Sequence, residues 1–332
     1  MSRTSQEIRL AARPQGRPDA STWQLATTEV AEPGPGEFLV QLQQISLDPA
    51  MRGWLNDVRS YLPPVQIGAV MRAFGAGTVV ASQHDDFAVG DVVSGTFGVR
   101  EYAISDGKGV ARLDLDVAPM STWLGALGMP GMTAWFGLED VGRAQPGDTV
   151  LVSAAAGAVG STVAQLAKAK GCRVIGVAGG PDKVAWLRDL GLDEVIDRRE
   201  GDLLRQVRRA APDGVDVYFD NVGGEHLEAA IGALSTFGRV AMCGAISQYN
   251  STEPPAAPRN LALAIGKGLT LRGFIVGQYP ELVAEYHSRA PQWLAEGRLV
   301  ADETFRDGLD AAPQAFMDLL DGANMGKMLL RL

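Results

Sequence analysis

The sequence predicts an α/β protein of two domains, a barrel-like β domain followed by a doubly wound parallel sheet of six strands. Three observations predict it. The N-terminal third is a succession of short strands cut by turn residues, and after Leu124 strands alternate with helices. A glycine-containing turn at 153–160 then joins the first strand of that alternation to its first helix. Such alternation implies a parallel sheet covered by helices. The 332 residues suffice for two hydrophobic cores.

Taken in order, "EPGPGE" turns the chain into "FLVQLQQIS" at 38–46, whose alternation suits a strand with one wet face. "GTVVAS" at 77–82, "DVVSGTF" at 91–97 and "REYAIS" at 100–105 continue the pattern. Closely spaced short strands suggest a barrel. In the second domain strands are expected at 149–154, 173–178, 194–197, 215–220, 239–243 and 269–276. Helices are expected at 161–170, 182–190 and 226–234. Six strands match a doubly wound dinucleotide fold. The last thirty residues are expected to return to the β domain, giving domains 1–124 with 302–332, and 125–301.

Composition narrows the function. Hydrophobic residues make up 46% of the chain and charged ones 21%, the balance of an ordinary globular protein. A net charge of −9 argues against nucleic acid as a main partner, since phosphate binding needs a basic surface. The opening "MSRTSQEIRLAARPQGRP" has no apolar run, so no signal peptide is expected. No apolar segment approaches the roughly 18–20 residues of a membrane helix. Cys172 and Cys243 are too few for a disulfide framework, and a cytoplasmic protein is expected.

The turn "SAAAGAVGS" decides the ligand class. A dinucleotide fingerprint is G-x-G-x-x-G, and the register here is Ala155-Ala156-Gly157-Ala158-Val159-Gly160, with alanine for the first glycine. Its context is right: the strand "DTVLVSA" enters and the helix "STVAQLAKAKG" leaves. Gly157 lets the backbone approach a phosphate, and Gly160 lets helix and strand pack closely. Ala155 loses only easy access to positive φ, which a different turn can avoid. No Gly-Lys-Ser/Thr follows, which excludes a Walker loop. An NAD site wants Asp or Glu about 20 residues on. Here Gly179 and Gly180 stand there, with Lys183 close behind and Arg198 after the third strand. Glycines leave room for a 2′-phosphate and cations attract it, so NADP(H) is expected.

The strings "SLDPAMRGWLNDVRSYLPPVQIGAVMRAFGAGTVVAS", "LGMPGMTAWFGL", "AAAGAVGS", "YFDNVGGEHLEAAI", "CGAISQYN" and "GANMGKMLL" occur in order. Together they resemble the zinc-independent medium-chain dehydrogenase/reductases, in particular prostaglandin, alkenal double-bond and curcumin reductases. The resemblance implies a GroES-like β domain built from both chain ends and a Rossmann domain between them. It also implies NADPH-dependent reduction of α,β-unsaturated ketones or aldehydes by a homodimer. On that pattern Gly157, Ala158, Val159 and Gly160 hold the pyrophosphate and Lys183 the 2′-phosphate, and Asn221 approaches the cofactor. So does the segment Cys243, Gly244, Ala245, Ile246, Ser247 and Tyr249, while Phe274, Ile275, Val276 and Asn324 reach the nicotinamide side. Two departures stand out. Arg198 replaces a frequent tyrosine, so its phosphate contact is inferred from charge. "DPAMR" stands for "DPYMR", so Ala50 alters the expected substrate pocket, for which Tyr61 is a second candidate phenol.

The residue inventory speaks against zinc. The histidines are His84, His226 and His287, and both cysteines fall in the second domain, so the first lacks any thiol ligand. Without a metal, hydrogen bonds must stabilise the enolate left by hydride transfer to the β-carbon; the resemblance makes Tyr249 the best-placed phenol, to bind the ribose or nicotinamide edge, donate to the enolate or help relay a proton. Arg52 reads as an internal structural cation. Two alternatives share these features: a quinone oxidoreductase of the ζ-crystallin type, and an NADPH-binding protein without turnover. The strings "DPAMRGW" and "CGAISQYN" favour the enone reductases.

Overall fold

The computed structural model describes residues 3–332 and divides the chain into two units. One holds the chain up to Leu124 together with Glu303–Leu332, and the other is Gly125–Asp302.

The first unit carries β1 (Arg3–Leu10), β2 (Trp23–Val30), β3 (Phe38–Ser46), β4 (Gly75–Ser82), β5 (Val92–Gly95), β6 (Tyr102–Ser105) and β7 (Ala111–Arg112). In the second lie β8 (Thr149–Val152), β9 (Arg173–Ala178), β10 (Glu194–Asp197), β11 (Val215–Asp220), β12 (Leu234–Met242) and β13 (Thr270–Gly273). The chain then adds β14 (Glu303–Asp307) and β15 (Lys327–Arg331) to the first unit. There the sheet runs β14-β15-β3-β4-β5-β7, with β6 also pairing β3, and β1 pairs β2 in a separate ribbon. β3 shows why the segment is a strand: Gln41 and Gln43 face out while Val40, Leu42 and Ile45 are buried.

The second unit's sheet runs β10-β9-β8-β11-β12-β13, all parallel. Counting β8 as first, this is the order 3-2-1-4-5-6 of a doubly wound dinucleotide fold. Helices cover it, so β9 is buried on both faces and reads as an apolar run after Arg173, while β11 is buried on both faces except at the half-buried Asp216. Each fully buried Val174, Ile175 and Val217 contributes about 1.5–3 kcal/mol by leaving water.

Boundaries differ from expectation where local cues were silent. The helix after β8 spans Ala158–Ala169, because Gly157 serves as its N-cap in extended geometry. Helices Pro181–Asp189 and Gly224–Ala233 likewise start early, each directly behind a left-handed glycine. β12 begins at Leu234, since a register shift against β11 absorbs the "STFG" segment, with Phe237 at φ 64°. β13 ends at Gly273, and the chain then sends Phe274 into the core between Phe136 and Phe219.

Candidate active site

Strand order reverses between β8 and β11, which marks the ligand crevice of an open α/β sheet at the carboxyl ends of those strands. The turn after β8 closes with the Gly157 N–H donating to the Ala154 carbonyl at 2.9 Å. Ala154 (φ 47°) takes the left-handed conformation, so the alanine at 155, in the fingerprint's first glycine position, need not. Gly160 is required by contact: a Cβ there would stand 2.3 Å from the Ala154 carbonyl oxygen. Gly157 is less crowded, with that oxygen 3.3 Å away. No side chain caps the helix that follows, which leaves the N–H groups of its first turn, at Ala158 and Val159, available to an anion.

The end of β9 is cationic. Both Asp197 carboxylate oxygens accept the Gly180 N–H at 3.1 Å, and Oδ1 also accepts the Arg199 N–H at 2.9 Å. This pins the glycine pair beside two guanidiniums. A Cβ at Gly179 would meet Arg198 Nε at 3.0 Å, and one at Gly180 would meet Arg199 Nη1 at 2.9 Å. Burial, then the charges of Arg199 and Arg198, hold the Lys183 ammonium below its ordinary pKa. Burial, then Arg198, pushes His226 down to about 4. Arg199 was missed from sequence although it adjoins Arg198 in "DRRE"; only the turn around Asp197 shows that both neighbours reach the glycines.

Two further loops complete the crevice. The Asn221 amide donates to the Ser153 carbonyl at 2.7 Å, and the Asn221 N–H to Ser153 Oγ at 2.9 Å. The Asn221 loop is thereby tied to the glycine turn. Ser247 Oγ donates to the Val222 carbonyl at 2.6 Å, which brings in the segment after β12. Cys243 and Gly244 donate their N–H groups to the Asp220 carbonyl at 2.9 and 3.0 Å. Burial, then the Asp220 carboxylate, pushes the Cys243 thiol up to about 12, so it is no thiolate nucleophile. Ile246 opens a 3-10 turn, and Tyr249 folds back so that its hydroxyl oxygen accepts the Ala245 N–H at 3.4 Å. Phe274 is a core residue, so only its backbone can meet a ligand, whereas Ile275 and Val276 are half-buried beyond it.

In the first unit, Ala50 is the N-cap of the short helix Met51–Trp54 and packs on the core. Tyr61 is half exposed, and its hydroxyl accepts the Trp54 Nε1–H at 3.1 Å. Arg52 is buried and donates to the Asn56 side chain and the Gly16 carbonyl, both at 2.7 Å, which is a structural role. Asn324 is buried, with its amide donating to the Gly326 carbonyl at 2.7 Å. His84 accepts the Asp86 N–H, and a ring nitrogen of His287 meets the Leu127 carbonyl. Among the described residues no group of three or more His, Cys, Asp or Glu side chains is placed to hold a metal ion.

Known proteins agree with this architecture. Residues 6–113 match the model for the N-terminal domain of oxidoreductase, and 158–292 the model described as zinc-binding dehydrogenase. The chain is 42% identical over 329 residues to the NADPH-dependent curcumin reductase of Escherichia coli, covering 97% of this chain and 95% of that one. It is 40% identical to prostaglandin reductase 1 of Mus musculus, covering 96% of each. The crystal structure of CurA from Vibrio vulnificus in complex with NADPH superimposes with a TM-score of 0.94 at 42% identity, covering 98% of both chains. The chain belongs to the medium-chain dehydrogenase/reductase family, in the zinc-independent branch of enone and alkenal reductases.

Proposed function

We propose that this protein uses NADPH to reduce the carbon–carbon double bond of α,β-unsaturated ketones and aldehydes. The observation that carries the reading is the cationic end of β9. Arg198 and Arg199 flank a glycine pair where an NAD site would hold a carboxylate, with Lys183 within reach of their charges, in a chain similar to NADPH-dependent reductases. The cradle fits the coenzyme, because a Cβ at Gly179 or Gly180 would fill the space against the guanidiniums.

NADPH supplies the hydride. The chain's own groups do the rest. Gly157, Ala158, Val159 and Gly160 present backbone N–H groups and the helix dipole to the pyrophosphate. Lys183, Arg198 and Arg199 hold the 2′-phosphate by charge-assisted hydrogen bonds. Asn221 and the segment Cys243–Tyr249 are assigned to the coenzyme, Ile275, Val276 and Asn324 to its nicotinamide side, and Ala50 and Tyr61 to the substrate, all on the family resemblance. The Tyr249 hydroxyl donates a hydrogen bond to the substrate oxygen as negative charge develops there and keeps its proton. A donor of this kind acts most strongly in the transition state, so it raises turnover more than affinity.

The test is a panel of enones, enals and quinones followed by NADPH absorbance. Enones and enals are expected to be turned over, and activity confined to quinones would sink the reading. Tyr249→Phe keeps the ring and is expected to lower kcat about 100-fold. Coenzyme Kd, measured in parallel, is expected to hold, and a variant with unchanged kcat would remove the catalytic role.

Two further properties belong to the same proposal. The partner is a second copy of the chain, for which the open edge at β13 and nearby exposed apolar residues speak. The compartment is the cytoplasm, in keeping with two free cysteines.

A further inference from the structure

Asp220 ends β11 and is 1% exposed. Its Oδ1 accepts the Tyr218 hydroxyl at 2.7 Å, the Gly223 N–H at 2.8 Å and the Val222 N–H at 3.0 Å. Ser153 Oγ stands 3.4 Å from the same oxygen and 3.3 Å from the Phe219 carbonyl, sharing one proton between them. The Asp220 carbonyl meanwhile receives the Cys243 and Gly244 N–H groups. One residue therefore binds the ends of β8, β11 and β12, which are the three strand ends from which the glycine turn, the Asn221 loop and the Tyr249 segment leave.

A buried carboxylate is costly, and no Lys, Arg or His nitrogen among the described residues comes within 4.0 Å to pair with it. Burial raises its pKa, and the Gly223, Tyr218, Val222 and Ser153 donors oppose that rise. Its compensation is therefore the loop geometry itself. Gly223 (φ 70°) and Gly224 (φ 52°) are consecutive left-handed residues, a conformation with little intrinsic preference over others for glycine. An acceptor that takes the N–H groups two and three residues ahead selects that conformation. Ser153 then passes the constraint across to Asn221.

We propose that Asp220 is a positioning residue that holds the coenzyme crevice in its binding shape by gathering three strand ends on one side chain and its carbonyl. The inference rests on the NADPH reading above. It requires no contact between Asp220 and the coenzyme. Loss of the side chain should leave a folded enzyme whose crevice fluctuates, so NADPH binding suffers and turnover at saturation suffers less.

The experiment measures NADPH Kd by fluorescence titration, kcat at saturating NADPH and enone, and melting temperature, in wild type, Asp220→Asn, Asp220→Ala and Tyr218→Phe. Asp220→Ala is expected to weaken NADPH at least about tenfold, with kcat falling less than about threefold. Asp220→Asn keeps an acceptor oxygen and should recover most of the binding. Tyr218→Phe removes one donor from an intact carboxylate and should weaken NADPH about threefold. A folded Asp220→Ala protein with lower melting temperature but wild-type Kd would reduce Asp220 to a stabilising residue and overturn the proposal. If that variant does not fold, wild-type Kd in Tyr218→Phe overturns it instead. Wild type that fails to bind NADPH overturns the coenzyme reading, and this proposal with it.

Discussion

Arg198 and Arg199 lie against Gly179 and Gly180, and Lys183 is near enough for both guanidinium charges to lower its pKa. Each cation is expected to add a charge-assisted contact to a 2′-phosphate and nothing to a 2′-hydroxyl. Single alanine substitutions should therefore raise the Michaelis constant for NADPH about 5- to 10-fold and leave that for NADH nearly unchanged. Steady-state kinetics with the two coenzymes checks this. Equal losses for both would mean that these cations serve the fold or the pyrophosphate. Arg199 is the sharpest case, because its backbone N–H is already held by Asp197 and its guanidinium lies against Gly180.

The turn between β8 and its helix separates two uses of glycine. At Gly160 the obstacle to a side chain is backbone, with Ala154 O at 2.3 Å and Ala155 Cα at 2.8 Å from a built Cβ. Neither can swing aside, so Gly160→Ala should destabilise the protein by about 2–3 kcal/mol through overpacking. At Gly157 the backbone is extended (φ −88°) and the space is nearly open. Gly157→Ala should cost below about 1 kcal/mol in stability, yet weaken NADPH by placing a methyl group at the helix N-cap. Urea unfolding beside coenzyme titration separates the two, and equal stability losses would contradict the assignment. Ala154 shows that the motif's first glycine is dispensable when the neighbouring residue takes the left-handed conformation at about 1–2 kcal/mol.

At the scale of the whole molecule the question is what covers β13. It is the last strand of the six, with Leu271 and Arg272 only half-buried. In the same unit Ile265 is 86% and Phe237 75% exposed, Phe237 in a left-handed conformation disfavoured for a bulky residue. An open strand edge in a unit that also exposes large apolar side chains is an aggregation hazard that symmetric pairing removes. Light scattering at micromolar concentration is expected to give twice the 35.1 kDa chain mass. Ile265→Glu should shift that mass towards the monomer. A wild-type monomer would refute the pairing.

Much of the fold was legible because hydrophobic period and turn chemistry are local. The segments 38–46, 173–178, 194–197 and 215–220 are strands over those same residues. The six-strand α/β pattern and the glycine turn were likewise carried by neighbouring residues in the chain, whereas the reach of Arg198 and Arg199 to the glycines at the end of β9 depends on the turn around Asp197. What the chain alone left open depends on residues brought together from afar. Ser153 and Asp220 meet only because β8 and β11 are adjacent across the switch point, so no spacing rule marks Asp220. The choice of Ala154 for the left-handed position follows from the Ala155 N–H being committed to Val177 on β9. The shortness of β13 follows from Phe274 finding a place between Phe136 and Phe219. Sequence by itself determined the elements and the charges. Tertiary structure decided which loops share a hydrogen-bond acceptor, because a buried polar group must find its partners wherever the fold brings them.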